Sequence, residues 1–158
     1  MSVTKDLAAL FDRDLAKLNR EIAAFPDNAM LWRTLPGITN SAGNLALHLE
    51  GNLMEFIGRL LGQIAYSRKR EMEFSLKGIG KDELAARIAE LQRKIPAVVA
   101  GLTSEQIEME YPQVVFDKAM STQQFLIHLY GHLNWHLGEI DYLRRILTGD
   151  GAVQRAGS

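Results

Sequence analysis

The stretch Ser121-Thr-Gln-Gln-Phe-Leu-Ile-His128-Leu-Tyr-Gly-His132-Leu-Asn-Trp-His136-Leu-Gly-Glu-Ile-Asp-Tyr-Leu-Arg-Arg-Ile-Leu147 decides how the rest of the chain is read. Leu126, Leu129, Leu133, Leu137, Ile140, Leu143 and Ile146 or Leu147 recur at helical spacing and predict one long helix. The stretch holds three of the four histidines, at i, i+4 and i+8. Four residues make one turn plus about 40°, so neighbouring histidines stack on one face about 6 Å apart along the axis. Two imidazoles one turn apart form the chelating pair of helical metal sites.

Three further helices precede it. Thr4 to about Phe25 is amphipathic through Leu7, Leu10, Phe11, Leu15, Leu18, Ile22 and Phe25, with Thr4 as the expected N-cap and Pro26 ending it. Residues 29–40 connect it to the next helix, and Trp32 is expected to anchor that connection. The second helix runs from Ser41 to about Ala65 and carries His48. It also contains Gly51, Gly58 and Gly62, which fall on one stripe. Gly131 and Gly138 repeat the device on the last helix, so close packing of these two helices is expected; a dimer contact is the other reading. Residues 66–80 read as a polar loop or a short frayed extension of the second helix. Lys81 to about Leu102 is the third helix, with Pro96 expected to bend or break it. A long connection with an extended piece at 111–116 leads to the final helix, which ends near Thr148-Gly149.

Four long amphipathic helices without a convincing sheet predict an all-α four-helix bundle, one domain over residues 1–150 with a loose tail at 151–158. The formal charge of −1 and the lack of a basic patch argue against a nucleic-acid surface. There is no cysteine, so neither a disulfide nor a thiolate metal ligand is available. The N-terminal residues lack the apolar core of a signal peptide, and no apolar run approaches the ~20 residues of a membrane span. A cytoplasmic protein is expected.

His128 and His136 lie about 12 Å apart along the helix, so one metal cannot rest on all three histidines of the row. The pair is His128/His132 or His132/His136, and His48 is the remaining candidate ligand. If the second and last helices are antiparallel, His48 lies level with His136 and near His132; if parallel, it lies level with His128. Spacing alone leaves that choice open.

His132-Leu-Asn-Trp-His136-Leu-Gly-Glu resembles the last-helix motif of the DinB/YfiT-like superfamily, a His-x-x-x-His pair followed by one residue, Gly, and Gln or Glu. Asn40-Ser-Ala-Gly-Asn-Leu-Ala-Leu-His48-Leu is similar to that family's second helix. The resemblance covers nearly the whole chain. It implies an up-down-down-up bundle, with a divalent transition metal (zinc or nickel foremost) on His48, His132 and His136. It also implies a metal-dependent S-transferase acting with a small thiol co-substrate, in a protein that forms homodimers. Alternatives are a metal-dependent hydrolase using metal-bound water and a non-catalytic, stress-related binding protein. His128 matches a frequent family histidine but is not carried over as a ligand.

Three neutral imidazoles leave a metal its full charge and open positions, which suits deprotonation of a bound thiol or activation of water. Asn44 and Asn52, one turn either side of His48, are candidates to orient ligands or water; Glu139, one turn after His136, is a candidate supporting acceptor or base, and His128 a candidate structural or supporting residue. Glu55 reads as a surface carboxylate. Arg68 and Arg70 are candidates for binding carboxylates of an anionic thiol, against a plain solvated charge run. Tyr130 and Trp135 are expected to pack. No catalytic residue is named by the sequence.

Overall fold

The computed structural model describes residues 2–153. The part of the expected tail at 154–158 lies outside them. Four long helical segments form the bundle: α1 (Val3–Ala23), α3 (Ala42–Leu53) continued by a π-helical turn (Met54–Arg59), α5 (Lys81–Gly101) and α7 (Thr122–Thr148). Three short helices sit in the connections: α2 (Asn28–Leu31), α4 (Arg70–Ser75) and α6 (Ser104–Glu108). The expectation of four helices therefore describes the bundle but omits these short pieces.

Side-chain pairs fix the helix directions. Phe11 meets Tyr130 and Glu21 meets Arg144, so α1 and α7 run parallel. His48 lies against His132 and His136 while Phe56 lies against Phe125, so α3 and α7 are antiparallel. Asp12 meets Gln92, and Lys81 reaches the Phe25 carbonyl, so α1 and α5 are antiparallel. The resulting topology is up-down-down-up. Phe11, Leu15, Leu18, Ile22, Leu49, Leu53, Ile88, Ile95, Leu126, Leu133 and Ile140 form the continuous core between these helices. Each is contributed by the apolar stripe of its own helix.

The caps follow local chemistry. Ser41 and Ser121 accept the backbone N–H groups of Asn44 and Gln124, and Gly149 ends α7 in the left-handed region at φ 77°. Thr103 and Gln106 form a capping box on α6. Thr4 is not a cap, because α1 already begins at Val3; its hydroxyl instead meets that of Ser2.

Several expectations are corrected. The second helix does not reach Ala65: the π-helical turn widens it, and helix ends at Arg59. α5 passes through Pro96 without interruption. The piece at 111–116 forms no regular strand: Tyr111 N–H bonds the Met120 carbonyl at 2.9 Å and Val115 makes an isolated bridge with Lys118. Residues 70–75 are helical rather than loop. The glycine stripes do not pack α3 against α7. Gly51 faces Glu73, Gly62 faces Val98, and Gly131 and Gly138 meet nothing. Trp32 does anchor its connection, donating from Nε1 to the Ile79 carbonyl at 3.0 Å and lying against Gly43. No helix among the described residues is long and apolar enough to cross a membrane.

Candidate metal centre

Antiparallel packing brings the buried seventh residue of α3 onto the middle of α7. One ring nitrogen from each of His48, His132 and His136 falls within 4.8 Å of the others, a group that could hold a metal ion. His132 Nε2 stands 3.2 Å from His48 Nε2 and 3.1 Å from His136 Nε2. His128 is outside this group. Its ring stacks on Phe125 with centroids 5.7 Å apart and lies 6.4 Å from the His132 ring.

Two of the three imidazoles are held from behind by carboxylates. His48 Nδ1 donates to Glu73 Oε2 at 2.9 Å, and His136 Nδ1 donates to Glu139 Oε2 at 2.6 Å. A carboxylate only accepts, so both rings carry a proton on Nδ1, and in the metal-binding neutral form each turns an Nε2 lone pair inward. His132 stays neutral, with burial and then the neighbouring His136 and His48 pushing its pKa down to about 4. Its Nδ1 is buried without a hydrogen-bond partner.

One Nε2 proton on His132 cannot lie linearly between two acceptors. The three inward nitrogens are thus not well satisfied by hydrogen bonds among themselves. A cation accepting all three lone pairs satisfies them, and spacings near 3.2 Å suit imidazoles around an ion with metal–nitrogen distances of about 2.1 Å. The donor set fits a borderline transition metal.

Glu73 is the residue that sequence reading missed. It sits on α4, in the segment read as polar loop, and bonds both His48 and Arg68; Arg68 donates to it at 2.7 and 2.9 Å. Burial would raise the Glu73 carboxyl, but hydrogen bonds from Arg68 and His48 hold it below the ordinary carboxylate range. Gly51, one turn after His48, is what admits Glu73: a methyl group there would collide with the carboxylate. That glycine was the available signal, since glycine inside a helix often marks close approach by another group.

Asn44 does not touch the histidines. Its Nδ2 donates to the carbonyls of Glu73 and Leu76 at 3.0 and 2.8 Å, tying α4 to α3. Asn52 does line the cavity beside the histidines, and its buried Oδ1 has no partner. Arg68 is committed to Glu73 and lies over Phe56. Arg70 lies over Phe74 and has no ion-pair partner among the described residues. Glu55 pairs with Arg59. Tyr130 bonds Asp14 at 2.6 Å, but Trp135 is 71% exposed and does not pack on the bundle.

The cavity has a volume of about 410 Å³ and opens beside His48, Asn52, Arg70, Phe116, His128 and His132. No carboxylate lines it among the described residues.

These features define an all-α bundle with a partly buried three-histidine cluster able to hold a metal ion, in the fold of a DinB-like protein. A crystal structure of a DinB-like protein from Bacillus cereus superposes with a TM-score of 0.67 at 14% identity, covering 90% of this chain and 91% of that one. A conserved protein from Enterococcus faecalis superposes with a TM-score of 0.74 at 17% identity, covering 95% and 99%. No protein-family model and no curated protein sequence matches the chain.

Proposed function

We propose that the protein is a metal-dependent S-transferase in which His48, His132 and His136 hold a divalent transition metal beside a cavity for a small thiol and its electrophilic partner. The observation that carries this reading is the convergence of three imidazoles, two of them oriented by carboxylates. When bound, such a metal supplies the positive charge that lowers the pKa of a coordinated thiol. The chain has no cysteine, so the thiol comes from a co-substrate.

The residues around the cluster have separable tasks. Glu73 and Glu139 fix the tautomer and ring orientation of His48 and His136. Asn52 Oδ1 offers a buried acceptor to a substrate N–H or O–H. Arg70 offers a cation to a co-substrate carboxylate, whereas Arg68 is occupied in holding Glu73. Phe116 and Phe125 supply apolar wall. Metal coordination lowers the pKa of a bound thiol and of bound water alike, so the cavity lining fits both readings and the conjugation assay separates them.

Metal analysis of the purified protein and a thiol-conjugation assay test the proposal. Wild type is expected to retain a divalent metal, His132→Ala to lose it, and consumption of a model electrophile to require both metal and thiol. Equal consumption without thiol would establish the hydrolase alternative. No consumption by the loaded protein with any small thiol would favour a binding protein.

A further inference from the structure

A separate cavity, of about 550 Å³, lies in the seam between α1 and α7 and shares no lining residue with the one beside the histidines. Small-molecule sites usually measure roughly 300–1,000 Å³, so the size suits a ligand. Two contacts bracket it. Tyr130 donates to Asp14 at 2.6 Å toward one end, and Arg144 donates to Glu21 at 2.6 Å toward the other. Arg144 also donates to the Gly151 carbonyl at 2.9 Å, which brings Ala152 and Val153 into the wall.

The charges lining this cavity do not balance. Each of its carboxylates already has an arginine. Arg13 grips Asp14 through Nε and Nη2 at 2.8 and 2.9 Å, Arg144 takes Glu21, and Arg145 donates from Nε to Asp141 at 2.9 Å. Lys17 and Arg20 also line it, and neither has an ion pair or a side-chain hydrogen bond among the described residues. Arg145 uses only Nε, so both its Nη groups remain free to donate. Arg13, Lys17 and Arg20 recur at i, i+4 and i+7, on one face of α1. Like charges one turn apart repel, and of these three only Arg13 has a carboxylate partner. A bound anion removes that repulsion and engages the idle donors. The guanidinium fork fits phosphate and carboxylate alike.

We infer that this cavity binds a small molecule bearing two or more acidic groups, phosphate or carboxylate, held by Lys17 and Arg20 from α1 and by Arg145 from α7. Two negative charges match the two cations left without partners. Asp14, Glu21 and Asp141 are buried and each is neutralised by its own arginine, so they hold the arginines in place without opposing the ligand. The inference does not depend on the metal or the reaction.

Calorimetric titration of the full chain with pyrophosphate and with citrate, at constant ionic strength, tests it. One of the two acids is expected to bind saturably at one site per chain, and which one binds names the acidic group. Lys17→Ala and Arg20→Ala are each expected to weaken that binding at least about tenfold, because each removes a charge-assisted contact. Neither side chain has a partner to lose among the described residues and alanine favours a helix, so both variants keep α1, which circular dichroism checks. Arg59→Ala removes a cation that lines neither cavity, and binding is expected to stay within about twofold of wild type. No binding of either acid at about 1 mM overturns the inference. So does binding that survives in Lys17→Ala and Arg20→Ala, which would place the acid on a metal at the histidines instead. A loss in Arg59→Ala equal to theirs overturns it too, since only net charge would then be at work.

Discussion

Glu73 holds His48 across 25 residues of sequence, with His48 Nδ1 donating to Oε2 at 2.9 Å while Arg68 grips the same carboxylate. The contact aims a buried imidazole at α7 and sets which nitrogen carries the proton. It exists because α4 folds back onto α3, where Asn44 bonds the carbonyls of Glu73 and Leu76.

Glu73→Gln is expected to weaken metal binding by about 10–100-fold without removing a ligand, because an amide orients the ring less firmly and loses the charge-assisted bond. Competition titration against a chromogenic chelator measures it. Affinity equal to wild type would show that His48 is positioned by packing alone.

Gly51→Ala tests the same contact from the other side. The added methyl collides with the Glu73 carboxylate, so the carboxylate must move and Arg68 with it. Alanine ordinarily stabilises a helix interior by roughly 1 kcal/mol over glycine. Here both lower thermal stability and weaker metal binding are expected. A rise in melting temperature with unchanged affinity would contradict the packing described for Gly51.

The metal-free chain is expected to lose stability as pH falls. His132 binds its proton at a pKa of about 4 when folded, against the ordinary 6.5, because burial and the neighbouring His136 and His48 disfavour the charge. The unfolded chain therefore holds more protons between these values. The contribution is fully present above about pH 6.5 and is lost as pH falls toward 4, on the order of 2 kcal/mol for a partly shielded group. Denaturant melts of wild type and His132→Gln across that range measure it, and parallel curves would reject it.

Near the C-terminal end of α7, Arg144 is 1% exposed and donates to Glu21 at 2.6 Å. Burial raises the Glu21 carboxyl, and Arg144 pulls it the other way. Arg144→Ala leaves that carboxylate buried without its main partner. A loss of about 3 kcal/mol in unfolding free energy is expected, readable from urea titration, with the histidine cluster still able to bind metal in the folded fraction.

Much of this structure is legible locally. The apolar spacing of 122–148, the serine at 121 and the glycine at 149 delimit α7, and the row His128, His132, His136 is visible before any fold is known. Glu73 was not legible, because nothing in Arg70–Ser75 distinguishes a buried carboxylate from its exposed neighbours. Trp135 was misread as packing because aromatic residues usually bury themselves, and only the rotation of α7 turns its ring outward.

The amino-acid order by itself determined the four long helices, the serine caps of α3 and α7 and the candidate ligands, because hydrogen-bonded turns and apolar periodicity are set by residues three to four positions apart. Only the tertiary structure decided which two histidines of the row meet His48, that Glu73 and Glu139 orient the rings, and that the α7 glycines face outward. Those outcomes depend on helix direction, rotation and depth, which are fixed by contacts between residues 25 to 123 positions apart such as His48–Glu73, His48–His132 and Glu21–Arg144.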